Sequence, residues 1–295
     1  MCKPESFYVL KDRILYRWEL TAHSDLLEFY GISDNDCVNP IGVACEIYPN
    51  DPLDWDKPEQ WNLHVDSTPI PAWFDDARRF DAEREMREQL GAYVLRQRLP
   101  KILSGFWIIA DDAEVDAVLF ARIPAVCGGT LNNFWGGTLN DFRGGTLNNF
   151  QGGTLNDFWG GTLNDFRGGT LNDFRGGTLN DFRGGTLNDF RGGTLNDFQG
   201  GTLNDFRGGT LNNFWGGTLN DFRGGTLNNF QGGTLNDFWG GTLNDFWGGT
   251  LNHFQGGTIK AVHLNTVIVE ARRKFAIILD DRRSAKAKAA TIWYD

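Results

Sequence analysis

Chemistry-bearing motifs are scarce in this chain of 295 residues. It has no phosphate-cradling Gly-rich loop ahead of a Lys, no Gly-x-Ser-x-Gly and no His-Glu-x-x-His. The four histidines, His23, His64, His253 and His263, stand without companion residues, and no carboxylate pair is singled out as a glycosidase site. No enzyme is expected. The four cysteines, Cys2, Cys37, Cys45 and Cys127, lack metal-ligand spacing, so neither a metal nor a cofactor is expected. No apolar run approaches the roughly 18 residues that a membrane span needs, and the N-terminus has no signal-peptide pattern. The expectation is a soluble chain with reduced thiols, cytoplasmic in a bacterial host cell or associated with a virion, and without membrane contact.

What is missing locally is as informative. Residues 128–255 contain no Lys, Glu, Ser or Pro, whereas 34 of the 38 glycines lie in 128–257. Those 128 residues are sixteen consecutive copies of one octad, Gly-Gly-Thr-Leu-Asn-(Asp/Asn)-Phe-(Arg/Trp/Gln), with His253 replacing Asp in the last; a decaying seventeenth follows at 256–263. Self-similarity at a short fixed period is the mark of a solenoid. Paired glycines every eight residues would cost a helix about 2 kcal/mol per copy, which excludes an α-solenoid. The positions that are apolar in every copy are the fourth and the seventh, as in Leu131 and Phe134, a spacing that suits short strands joined by bends. Thr-Leu-Asn reads as one short strand and the Phe with its neighbours as a second, with Gly-Gly as the bend, where positive φ meets no Cβ. A single octad buries too little to be ordered alone, so the copies must stack as a narrow parallel β-solenoid.

Coil size follows from parity. Asn replaces Asp at position six in copies 1, 3, 11 and 13 (Asn133, Asn149, Asn213, Asn229), and residues 128–159 recur letter for letter at 208–239, a shift of ten octads. Ten is divisible by two and not by three, which favours two octads per coil over a triangular coil of three. Eight such coils at the strand spacing give a rod roughly 38 Å long. Codon-level slippage and drift would equally produce the Asp/Asn/His and Arg/Trp/Gln variation, without a selected binding face.

If Leu and Phe point inward, positions six and eight point outward together. Asp141 with Arg143, and Asp165 with Arg167, can then pair, while Trp135, Arg143, Trp159, Trp239 and Trp247 form a candidate ladder of planar groups for a polymer or a partner. Other readings of the rod are a calcium roll, for which the octad is one residue short, and a water-ordering threonine face of the antifreeze type. Regular Asp columns also permit an acidic mimic of DNA that decoys a host nucleic-acid enzyme, an analogy of shape with acidic pentapeptide-repeat solenoids.

Elsewhere the pattern is mixed. Residues 1–75 read as a small, mostly β domain, with strands in 7–20, 43–48 and 61–65, a helical turn over 25–30, and a turn at Pro49–Pro52. An amphipathic helix is expected within 76–103, over roughly 76–98, with Phe80, Met86, Leu90, Tyr93, Val94 and Leu95 on its packing side and Asp75 or Asp76 as cap. Residues 104–127 read as an irregular β lead-in, 128–257 as the solenoid and 258–295 as a β cap, with strands at 266–271, 274–280 and 290–295 and a turn at 280–283. The fold class expected is thus an α+β N-terminal domain, a parallel β-solenoid and a β C-terminal cap.

The segment WNLHVDSTPIPAWFD (61–75), the helix after it, the Gly-Gly-Thr octads and the short β tail together resemble uncharacterised bacteriophage and bacterial proteins with Gly-Gly-Thr octapeptide repeats. The resemblance covers 61–295, and its specific part is the octad. In that family positions four and seven are usually Val or Ile; Leu and Phe here make a bulkier core. It implies a phage or bacterial origin and brings no activity. The octad resembles more weakly the sixteen-residue coils of bacterial ice-nucleation proteins.

Charge is divided unevenly. Residues 1–127 carry 13 Lys and Arg against 23 Asp and Glu, the sixteen octads 7 against 11, and 258–295 carries 8 against 4. Overall acidity argues against direct nucleic-acid binding. The acidic head and basic tail suggest self-association, head to tail or through the cap. The functional expectation is a rigid scaffold or adaptor working through contacts with a protein that the sequence does not name.

Overall fold

The computed structural model describes residues 6–17, 20, 22–33, 40–51 and 54–295. Cys2 and Cys37, Pro52 at the end of the expected turn, and residues 18 and 19 of the expected 7–20 strand lie outside that set.

The N-terminal region is a four-stranded antiparallel sheet in the order β2-β1-β3-β4, made of β1 (Ser6–Leu10), β2 (Ile14–Leu15), β3 (Gly42–Pro49) and β4 (Trp61–Val65). A short helix, α1 (His23–Phe29), lies between β2 and β3. The longer α2 (Asp76–Gly91) starts at Asp75, whose carboxylate accepts the Arg78 backbone N–H at 2.9 Å, as an N-cap should. It stops seven residues short of the expected end, because Val94 and Leu95 leave it to form β5 (Val94–Leu95). Its buried residues are Ala82, Met86 and Leu90, spaced by four. Phe80, expected on that packing side, is 62% exposed, since a two-residue offset from Ala82 turns it away from the sheet.

Winding begins at β5, earlier than the expected lead-in at 104. Then come β6 (Arg98–Leu99), β7 (Ile102–Phe106), β8 (Ile108–Ile109), β9 (Glu114–Val115) and β10 (Val118–Val126). Each pairs in parallel with a later strand, for example Ile102 with Val118 and Glu114 with Thr130. Phe106, Ile108 and Ala125 from these coils join Phe7, Val9, Cys45, Ile47, Trp61, Met86 and Leu90 in one core. The N-terminal sheet and helix therefore cover the first turns of the solenoid.

The octads make one strand each. Copies one to fourteen give β11 (Thr130–Phe134) to β24 (Thr234–Phe238), and the last two merge into β25 (Thr242–Phe254). Thr130 pairs with Thr146, Leu131 with Leu147 and Phe134 with Phe150, a step of sixteen residues repeated to the end of the array. Two octads thus make one coil, in parallel, as the parity of the duplication suggests. The expected pair of short strands is instead one five-residue strand, bent where its register passes over Asn at position five.

The glycines divide the work of the bend. The second of each pair has φ near +90°, as at Gly185 (+93°), and a Cβ there would lie 2.4 Å from the Gly169 carbonyl oxygen of the coil before. The first, Gly184, would bring its Cβ only to 3.5 Å from the Arg167 carbonyl. Backbone pairing continues through the corner, where Thr186 N–H donates to Gly169 O at 3.0 Å and Arg191 N–H to Phe174 O at 2.8 Å. Inside, every Leu and Phe of the octads is buried. Phe rings stack at the coil spacing, for instance Phe174 on Phe190 at 4.8 Å and 6°. Two steps instead turn edge to face, Phe222–Phe238 at 65° and Phe230–Phe246 at 79°.

The C-terminal segment is more solenoid than lid. The three expected strands appear as β26 (Gly257–Arg272), β27 (Ala276–Asp281) and β28 (Ile292–Tyr294), all parallel to what precedes them. Asp280 and Asp281, expected in a turn, end β27. A short helix, α3 (Ala285–Ala289), was not anticipated. Arg283, 4% exposed, ties this segment together by bonding Asp281 at 2.7 Å and Thr291 at 3.1 Å. Burial raises the Asp281 pKa, but the Arg283 hydrogen bonds and charge outweigh it and hold the carboxyl below its usual range. The 24 strands of the solenoid sheet, two to a turn, complete about twelve turns.

Candidate functional site

The winding assigns each octad to one of two columns. Odd copies stack on odd and even on even, because each strand pairs with the second one along. Within an octad, Thr and Asn at positions three and five flank the inward Leu, while positions six and eight flank the inward Phe. The alternation of side chains along a strand places each pair on its own outer surface. The Asn surface of each column is an amide ladder: Asn148 Nδ2 donates to Asn132 Oδ1 at 2.7 Å and the bond recurs every sixteen residues up to Asn244 and Asn228, while the even column runs from Asn156 and Asn140 to Asn252 and Asn236. Threonines share that surface, so Trp and Arg do not interrupt them.

The expected planar ladder is split by this geometry. Asp141, Arg143, Trp159 and Trp239 belong to even copies, and Trp135, Asp165, Arg167 and Trp247 to odd ones. They form two stripes on different columns of strands rather than one face. An eight-residue period on a sixteen-residue coil makes neighbouring copies alternate in side. Arg143 is also not an open contact: its side chain is 8% exposed and bonded to Asp141 at 2.6 Å. The other expected pair, Arg167 with Asp165, meets at 3.2 Å.

On the even stripe the arginines bridge coils. Arg175 holds Asp157 at 2.6 Å and Asp173 at 3.4 Å, Arg191 holds Asp173 at 2.8 Å and Asp189 at 3.5 Å, and Arg207 and Arg223 continue to Asp205 and Asp221. Trp239 Nε1 closes the run by donating to Asp221 at 2.8 Å. The Arg175 guanidinium lies 3.8 Å over the Trp159 ring. Burial pushes the Asp157 carboxyl up against the pull of Arg175, and Asp173 holds Arg191 above its ordinary value. Single exposed pairs contribute little, typically below about 1 kcal/mol, and a shared chain of them fixes geometry more than it adds energy.

The odd stripe is interrupted. Arg183 joins Asp165 at 2.8 Å to Asp181 at 3.8 Å, but Gln199 follows, donating to Asp181 at 3.1 Å, and then Trp215, donating to Asp197 at 3.0 Å. At the C-terminal end His263 stacks on Trp247 at 3.6 Å and bonds Asp245 at 3.3 Å. These varied residues share one role that the sequence reading missed: Arg, Gln, Trp and His all point a nitrogen at a carboxylate eighteen residues earlier. One signal was visible, since every octad with Arg at position eight has Asp at position six.

Near the start of the odd stripe a shallow groove of about 610 Å3 is lined by Asp116, Asn132, Asn133, Asn148, Asn149, Asn164 and Asp165. A second, of about 280 Å3, lies between Asp197, Gln199 and Trp215. The two described thiols are poor nucleophile candidates, because burial pushes both Cys45 and Cys127 up to about 12. No helix among the described residues is long and apolar enough to cross a membrane. Compared with protein families, curated proteins and solved structures, the chain has no match.

Proposed function

We propose that this protein is a rigid spacer or scaffold that works through protein–protein contact, carrying its N-terminal domain on a solenoid whose C-terminal end joins a second copy. The observation that carries this reading is the difference between the two ends. Sheet and helix cover the first turns, whereas β27 and β28 pair on one side only, with β26. Around that open edge the outward residues turn apolar: Leu264 is 71% exposed, Leu279 66%, Ile292 58% and Ile277 51%. In the register, Ile277 stands above Thr258. An unpaired, apolar strand edge is a template for another chain, and the same edge on two copies gives a contact that closes at a dimer.

Light scattering at tens of micromolar and low salt tests it. A dimer is expected that persists in high salt and becomes a monomer in Ile277→Asp/Leu279→Lys. A monomeric wild type contradicts self-association through the cap, and an open-ended series dissolved by salt would assign the contact to the acidic head and basic tail instead. The second reading, an acidic decoy for a nucleic-acid enzyme, finds less support, because arginines bridge most of the even-stripe aspartates instead of leaving their charge on display. A phage or bacterial source, and a cytoplasmic or virion-associated location, belong to the same proposal and rest on the octad resemblance.

A further inference from the structure

We propose that the odd stripe is a binding strip for a neutral glycan, with Trp135 and Trp215 as its two stacking platforms. Five tryptophans stand at position eight in the rod, all about half exposed. Two have a face taken by the next coil, Trp159 by Arg175 and Trp247 by His263. Among the described residues no ring or cation stacks on Trp135, Trp215 or Trp239.

The surroundings separate these three. Trp239 and Trp215 both donate Nε1–H to an Asp of the coil before, Asp221 and Asp197, but only Trp239 has an Asp, Asp237, in its own octad. Trp135 and Trp215 sit in octads whose sixth residue is Asn, and in each case the next coil of that stripe offers Asn and Gln: Asn149 and Gln151 above Trp135, Asn229 and Gln231 above Trp215. The Asn side chains are held by the ladder, Asn149 on Asn133 at 3.2 Å and Asn229 on Asn213 at 3.0 Å. The amides of Gln151 and Gln231 have no hydrogen-bond partner among the described residues, unlike Gln199 on Asp181 and Gln255 under the Tyr294 hydroxyl. Each module is thus a half-exposed indole beside a free amide that can both donate and accept.

That combination fits a ligand with an apolar ring face and hydroxyl edges. An anionic polymer would meet one cation, Arg167 on Asn149 at 3.4 Å, whose charge Asp165 already shares at 3.2 Å, and would face Asp197 next to Trp215. A cationic peptide would find Asp in place of Asn better suited, as Arg175 does at Trp159 and Asp157. Both modules lie on one stripe, eighty residues or five coils apart, so about 24 Å at the strand spacing. One extended glycan can touch both, and two linked contacts bind more tightly than either alone.

The test uses the labelled full-length protein on a printed array of neutral and acidic glycans. Wild type is expected to bind at least one neutral glycan. Trp135→Ala/Trp215→Ala is expected to lose that binding, with an unchanged far-ultraviolet spectrum, while Trp159→Ala/Trp239→Ala on the even stripe keeps it. Gln151→Ala/Gln231→Ala, which leaves every ring in place, is expected to weaken it about tenfold. Binding to no neutral glycan, binding to acidic glycans only, or binding that survives loss of Trp135 and Trp215 would overturn the proposal.

Discussion

The even and odd stripes have the same backbone, the same Leu and Phe interior and the same bends, yet their outer chemistry differs. On the even stripe each arginine from Arg175 to Arg223 lies within ion-pair distance of two aspartates, so most of the charge is paired from within. On the odd stripe the run of Arg ends after Arg183, and Gln and Trp take over. The contrast teaches that the fold leaves position eight free to vary: Arg, Gln199 and Trp215 reach a carboxylate of the coil before, whereas Gln151 and Gln231 reach none among the described residues. It also shows why a duplication of ten octads preserves the two outer faces. An even shift returns each residue to its own side, whereas an odd one would exchange them.

The largest effect is expected on what both stripes share. Gly185→Ala would drive a Cβ to within 2.4 Å of the Gly169 carbonyl at a φ of +93°, against backbone that cannot yield. A loss on the order of 2–4 kcal/mol is predicted, read by thermal or denaturant unfolding. Gly184→Ala, at 3.5 Å from its nearest neighbour, should cost less than about 1 kcal/mol. Equal costs at the two glycines would break the account of the bend.

Deleting one octad, residues 168–175, sets the stripes against each other. Every later copy changes column, which places Trp215 on the other side of the rod from Trp135 while keeping both residues. Deleting residues 160–175 keeps all later copies on their own stripes and shortens the rod by about 4.8 Å. Spin-label distances from position 135 to position 215 should be longer in the first variant than in the second, because an offset across the rod adds in quadrature to the axial separation. If the two deletions give similar distances, the two-column reading fails.

The smallest effects belong to the surface itself. Arg191→Gln should cost no more than about 1 kcal/mol, since Gln199 already fills the equivalent place on the other stripe. Gln231→Arg sharpens the contrast in the opposite direction. Its guanidinium should settle over Trp215 as Arg175 does over Trp159 at 3.8 Å, a contact of about 0.5–1 kcal/mol at an exposed site. Slower acrylamide quenching of Trp215, seen in a variant lacking the other ten tryptophans, would register it.

Much of this architecture was legible because the repeat is so regular. Positions four and seven, as in Leu131 and Phe134, are the only ones apolar in every octad, so only they could fill a continuous interior, and the recurrence of 128–159 at 208–239 carried the coil size. What stayed hidden lies where the period ends. Val94 and Leu95 suit a helix or a strand alike, and only pairing with Ile108 and Ile109 decides between them. Phe80 looked like a packing residue because it is apolar, although its offset of two from the Ala82, Met86 and Leu90 stripe puts it on the other side of the helix. The interaction face was assembled from residues of both parities, although two octads per coil already place odd and even copies on opposite sides; the coil size was not carried through to position eight.

The central claim is that sixteen residues bring the chain back over itself. Three cysteine pairs test it most directly, in a background with the native cysteines replaced by alanine: Arg191→Cys with Gln199→Cys, with Arg207→Cys or with Trp215→Cys. Only the 191–207 pair, on adjacent parallel strands in register, has the spacing a disulfide accepts, so it alone should close under mild oxidation. Closure of the 191–199 or the 191–215 pair, or failure of 191–207, would contradict the two-octad coil.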